Sequence, residues 1–127
     1  MEQKLRILIT DDSSLLRRKL RGDLEQLGCE VSEAKNGKEA IMEALTAPLD
    51  VIILDIVMPE VDGVEALRAI RQARPDLPVL MLSSAGSSKH IIESLQLGAI
   101  DFIQKPYGTE QLKQALSRIR KRGSENA

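Results

Sequence analysis

The sequence predicts an α/β protein in which five parallel strands form one doubly wound sheet covered by helices on both faces. Two observations carry this reading. Five short apolar runs rich in branched residues recur at even spacing, separated by stretches of helical periodicity. The runs "VIIL" (51–54) and "VLML" (79–82) are continuously apolar, as central strands buried on both sides must be. Strand and helix in alternation imply right-handed βαβ crossovers. Five-stranded sheets of this kind commonly take the order 2-1-3-4-5.

The first strand is expected at 5–10, "LRILIT", and it stops at two adjacent carboxylates, Asp11 and Asp12. Acids and serines begin helices well, so the pair reads either as a cap or as chemistry; this loop alone does not divide the two. A helix follows over 13–27, with Leu16, Leu20, Leu24 and Leu27 spaced four, four and three apart and Gly28 as its C-cap. The weakest strand is 29–34, "CEVSEA", followed by a helix at 37–47. The third strand, 50–55, ends in Asp55, and a helix is expected at 63–74. The fourth, 78–83, ends in Ser83 with Ser84 behind it, before a helix at 87–97. The fifth, 100–105, ends in Lys105 and is followed by Pro106. In the last helix, 109–122, Leu112, Ala115, Leu116 and Ile119 form one buried face, with Thr109 as N-cap. One domain over 1–122 and a disordered polar tail at 123–127 complete the layout.

Composition narrows the function. The 18 basic and 19 acidic side chains nearly cancel, so no global field steers the chain to nucleic acid or membrane. The lone Cys29 cannot form an internal disulfide and fits a reducing compartment. The N-terminal apolar run is too short for a signal peptide, and nowhere is there a membrane-length stretch. These features point to a soluble, cytoplasmic domain. Arg68, Arg71 and Arg74 form a stripe on the third helix that reads as a solvated face, and Arg118, Arg120, Lys121 and Arg122 suit a helix C-terminus. Without interleaved aromatics or a recognition motif, neither group implies direct nucleic-acid contact.

The strand ends carry the chemistry. In the order 2-1-3-4-5 the first and third strands are neighbours, and a ligand site lies beyond their carboxyl ends. Asp11, Asp12 and Asp55 would converge there. Two like charges about 4 Å apart repel by roughly 4 kcal/mol at an effective dielectric near 20, so the cluster must hold protons or a cation. A small hard ion suits it: Mg²⁺ takes oxygen ligands and typically uses one or two carboxylates plus a phosphate. Ser83, Ser84 and Lys105 add hydroxyls and a cation at the same rim. Such a set fits phosphoryl transfer, with a carboxylate attacking in line while cations neutralise the equatorial oxygens. The one histidine, His90, lies in the fourth helix, so a phosphohistidine donor would come from another molecule.

At these residues the chain resembles the response-regulator receiver domain, the CheY-like family of two-component signalling. The resemblance runs from about Arg6 to Ile119 and rests on "DD" after the first strand, "LDIVMPEVDG" around the third, "LSS" after the fourth and "FIQKP" at the fifth. It implies a flavodoxin-like (βα)5 fold whose 2-1-3-4-5 order is that already known for CheY and flavodoxin. It also implies that Asp55 accepts a phosphoryl group from a histidine kinase or phosphotransfer protein. Asp11, Asp12, Asp55 and the backbone carbonyl of Val57 would hold Mg²⁺, with Mn²⁺ as substitute. Ser83 and Lys105 would contact the phosphoryl oxygens, and the bond before Pro106 is usually cis in the family. Phe102 takes the place of the switch aromatic. Phosphorylation adds charge and three acceptors. Drawing Ser83 and Lys105 toward them would free space for Phe102 to swing inward. The output face is then the fifth strand with residues 87–97 and 108–122.

The resemblance further implies catalysis of the domain's own phosphorylation and dephosphorylation only. The effector would be a downstream protein or a fused domain, in a chain that is monomeric or dimerises when phosphorylated. Phe102 lacks the hydroxyl of a tyrosine switch. Val57 and Ala85 are apolar where some members carry polar side chains, which predicts slow self-dephosphorylation. The "SSAGSS" loop (83–88) is small, as in chemotaxis receivers. Two rivals fit less well. A haloacid-dehalogenase-type phosphatase places its acids as D-x-D on the first strand, and a flavin binder should not greet a phosphate with "DDSS".

Overall fold

A computed structural model describes residues 4–58, 60–84 and 88–125, with side chains described as far as 120. The strands are β1 (Arg6–Thr10), β2 (Glu30–Ala34), β3 (Val51–Asp55), β4 (Val79–Ser83) and β5 (Asp101–Gln104). Between and after them run α1 (Ser14–Gln26), α2 (Gly37–Thr46), α3 (Gly63–Ala73), α4 (Ser88–Gln96) and α5 (Thr109–Glu125). All four strand pairings are parallel, in the order β2-β1-β3-β4-β5. The expected doubly wound α/β sheet is therefore the observed one.

Strand alternation divides the apolar side chains between two cores. Leu8, Ile52, Leu54, Val79 and Met81 face α2 and α3, with Ile91 and Leu97 around α4 packed against that cluster. Ile7, Ile9, Val51, Ile53, Leu80 and Leu82 face α1 and α5. A chain that steps from β1 out to β2 and back past β1 to β3 must change faces to keep its crossovers right-handed. The loops after β1 and β3 consequently leave toward opposite faces, and the rim between them opens as a crevice.

Several local expectations are refined. Leu20 and Leu24 are buried, whereas Leu16 is exposed at the end of α1 nearest the rim. Thr109 is the first residue of α5, so Gly108 takes the cap position and its carbonyl accepts the Gln111 and Leu112 N–H groups. The α5 backbone continues to Glu125, past the expected end at 122, so residues 123–125 of the expected tail are helical; residues 126–127 lie outside the described residues. Lysine and arginine are good helix formers, and a single Gly123 costs only about 1 kcal/mol against alanine. The arginine stripe is not a uniform solvated face. Arg71 donates to the Pro75 carbonyl, while Arg74 donates to the Ala44 carbonyl at 3.1 Å and pairs with Asp76. Only Arg68 of the three is exposed. Cys29 is buried, as a small hydrophobe would be.

Candidate functional site

Each acid is delivered by the end of a strand. Thr10 of β1 pairs with Leu54 of β3, so the residues that follow, Asp11 and Asp55, are brought side by side. One carboxylate oxygen from each of Asp11, Asp12 and Asp55 lies within 4.8 Å of the others, with Asp11 and Asp55 buried and Asp12 exposed. The helix-cap reading of the acids is answered here: the α1 N-cap is Ser13, whose hydroxyl accepts the Leu16 N–H at 3.3 Å. Asp11 instead accepts the Ser13 N–H at 2.9 Å through Oδ1.

Lys105, beyond the end of β5, reaches across the rim. Its Nζ lies 3.1 Å from Asp55 Oδ2 and 3.2 Å from Asp11 Oδ2. Its backbone N–H donates to the Ser83 carbonyl at 2.7 Å, which ties the end of β5 to β4. The Lys105–Pro106 bond is cis. Asp55 is 5% exposed, and burial pushes its carboxyl above the ordinary range. Lys105 pulls the other way, but the negative charge of Asp11 adds to the upward push. Burial acts against the Lys105 ammonium as well, yet the hydrogen bonds and charges of Asp55 and Asp11 outweigh it and raise its pKa. One lysine therefore does not satisfy the acids. An all-oxygen set of this size suits a hard divalent ion, which is a fit of chemistry and not of a cavity alone.

Ser83 is 0% exposed, and its hydroxyl has no hydrogen-bond partner among the described residues. Alternation places it on the side of Val79 and Met81. A buried hydroxyl without a partner costs about 1–3 kcal/mol in this state, a cost that a state giving it a partner would relieve. Val57, one of the exposed large hydrophobics at 61%, stands at the mouth of the rim, and its backbone N–H reaches the Asp55 carboxylate. Ala85 lies outside the described residues, as do Gly86 and Ser87 of the "SSAGSS" loop.

Phe102 of β5 is 37% exposed, and Ile92 and Leu95 of α4 are exposed as well. Arg118 of α5 pairs with Asp101 across the same face. Tyr107 lies elsewhere. It is half-buried against α1 with the Lys19 ammonium 5.4 Å from its ring, and it lines a cavity of about 300 Å³ with Leu16, Leu20, Leu82 and Pro106. Burial, then Asp23 and Asp11, pushes its hydroxyl up to about 12.

Two contributors were not foreseen from sequence. A Cβ on Gly63 would sit 2.2 Å from the Asp55 carbonyl, so only glycine lets α3 start against the end of β3. The "DG" of the third-strand motif was a signal for it. Arg17 donates to the Asp11 carbonyl at 2.7 Å, a contact that no local pattern announces.

A doubly wound sheet with acids after β1 and at the end of β3, a hydroxyl at the end of β4 and a lysine after β5 defines a class of signalling module. The family model of the response regulator receiver domain matches residues 7–117, and the chain belongs to that family. It is 34% identical to the chemotaxis protein CheY of Thermotoga maritima over 91% of this chain and 98% of that one. It is 46% identical to a protein-glutamate methylesterase/protein-glutamine glutaminase of Archaeoglobus fulgidus over 82% of this chain, but it spans only 30% of that protein. Among solved structures, the chemotaxis protein CheY4 of Vibrio cholerae superposes with a TM-score of 0.85 at 34% identity, covering 92% of this chain and 99% of that one.

Proposed function

We propose that this chain is a phospho-accepting switch in which Asp55 is the acceptor. The observation that carries the reading is the packing of Asp55 against two further acids and Lys105 at one rim. A carboxylate oxygen of Asp55 attacks the phosphorus of a phosphohistidine on a kinase or phosphotransfer protein. The O–P bond forms as the P–N bond breaks, and the imidazole leaves with that electron pair and takes up a proton. Small donors such as acetyl phosphate serve in the same way. Asp11, Asp12, Asp55 and the Val57 carbonyl would hold Mg²⁺, or Mn²⁺ in its place. The ion supplies positive charge against the anionic acids and the incoming phosphoryl oxygens. Lys105 shifts from the carboxylates to a phosphoryl oxygen, and the Ser83 hydroxyl gains the partner it lacks.

Moving Ser83 biases Phe102 and with it the face formed by α4, β5 and α5, where Ile92, Leu95 and Phe102 offer apolar surface to an effector. The unphosphorylated chain would be monomeric, and the same face is where two phosphorylated copies would meet. Likeness to CheY over nearly its whole length favours a separate downstream partner and a chemotaxis role; the match to part of a methylesterase leaves a fused effector as the other arrangement. Neither calls for nucleic-acid contact by this domain. No helix among the described residues is long and apolar enough to cross a membrane, and a cytoplasmic setting with the phosphodonor fits the free thiol of Cys29.

The test is intact mass after incubation with acetyl phosphate, with and without Mg²⁺, beside Asp55→Asn. One phosphoryl group gained only with metal and only with Asp55 is expected. Gain by the variant, or none by either protein, overturns the assignment.

A further inference from the structure

Arg17 makes none of the rim's reactive contacts, yet it is tied to the rim's backbone. Its side chain is 16% exposed, and its Nη1 donates to the Asp11 carbonyl at 2.7 Å. Its Nε donates to Glu33 Oε1 at 3.0 Å, and the other oxygen of Glu33 accepts from Arg21 at 2.7 Å. Glu33 sits on β2, the strand hydrogen-bonded to β1, so the guanidinium anchors the acid loop to the edge of the sheet. The hydrogen bond from Arg21, with help from Arg17, holds the Glu33 carboxyl below its ordinary range, which keeps the anchor ionised. Asp11 is thereby fixed at both ends. Its side chain accepts from Ser13 and Lys105, and its carbonyl accepts from Arg17.

We propose that Arg17 is a positioning residue of the metal site: anchored by Glu33, it fixes the Asp11 carbonyl and so the loop geometry that lets Asp11 and Asp12 reach one ion. This rests on the reading above that the acids hold a divalent cation. Charge alone argues for the opposite sign. A guanidinium near a cation site repels the cation, so losing it should tighten binding. Positioning and charge therefore predict opposite outcomes for the same variant.

The experiment is a MgCl2 titration of the full chain, followed by backbone amide resonances of the loops after β1 and β3. Wild type, Arg17→Ala, Arg17→Lys and Glu33→Gln are compared, and the melting temperature of each is taken without metal. Arg17→Ala is expected to raise the Kd for Mg²⁺ about tenfold, the lower end for residues that orient metal ligands. Arg17→Lys keeps one donor and should fall between wild type and the alanine variant. Glu33→Gln should weaken binding with Arg17 still present. An Arg17→Ala protein that binds Mg²⁺ as tightly as wild type, or more tightly, overturns the proposal. So does a lower melting temperature with an unchanged Kd, which would assign Arg17 to packing alone. Should the alanine variant not fold, the lysine and glutamine variants decide by the same criterion. If wild type itself does not bind Mg²⁺, the cation reading fails and takes the proposal with it.

Discussion

Asp55 has an identity that costs the metal-free fold. Its folded carboxyl holds a proton more tightly than the unfolded one, because burial and Asp11 outweigh Lys105. A raised folded pKa favours folding below the unfolded value, and that contribution is lost as pH rises through the folded one. Near neutrality the ionised Asp55 therefore opposes folding. Asp55→Asn should raise the metal-free melting temperature at pH 7, by a margin that narrows as the solution is acidified toward about pH 4. A variant less stable than wild type at pH 7 would mean that the pairing with Lys105 dominates. Val57 gives a second prediction at this scale. Its exposed apolar side chain offers no hydrogen bond to a hydrolytic water beside Asp55. Val57→Asn should shorten the lifetime of the phosphorylated protein, read as loss of the added mass over time; equal lifetimes would remove Val57 from the account. The acids, Ser83 and Lys105 were legible because each ends an apolar run. Arg17 and Glu33 were not, because sixteen residues separate them and only the packing of α1 against β2 brings them together.

Among the elements, the join between β3 and α3 is the most constrained. A Cβ at Gly63 would lie 2.2 Å from the Asp55 carbonyl and 2.7 Å from the Ile56 Cα, both backbone atoms that cannot turn aside. Gly63→Ala should cost at least about 2 kcal/mol by denaturant unfolding. It should also slow phosphorylation by acetyl phosphate, since the displaced backbone carries Asp55. Normal stability would show that α3 can slide to accommodate the methyl group. The α4–β5–α5 face carries its own prediction. Phosphorylation should shift amide resonances across residues 88–96 and 101–119, and a response confined to the acid loops would sink the switch through Ser83 and Phe102. Most element boundaries could be read from apolar periodicity to within one or two residues. The end of α5 could not: apolar periodicity stops near Ile119, whereas the backbone stays helical to Glu125 through residues that are good helix formers.

For the whole molecule, a cation bound only by the folded chain must stabilise it. At one hundred times the Kd the gain is about 2.7 kcal/mol, visible as a rise in the urea midpoint on adding MgCl2. If Asp55 is a ligand, as proposed, that rise should shrink in Asp55→Asn, which lacks the carboxylate charge. An equal rise in both proteins would point to cation binding away from Asp55. The sequence by itself determined the α/β class, the number of strands, the division into buried and exposed faces and the residue types that end each strand. These follow from local periodicity and from the cost of stopping an apolar strand at a charge. Only the tertiary structure decided that Lys105 answers two acids at once, that the Ser83 hydroxyl has no partner among the described residues, and that Arg17 is anchored to the edge strand. Those relations depend on which strands are neighbours and on right-handed crossovers sending the loops after β1 and β3 to opposite faces, and neither is encoded in any short stretch of chain.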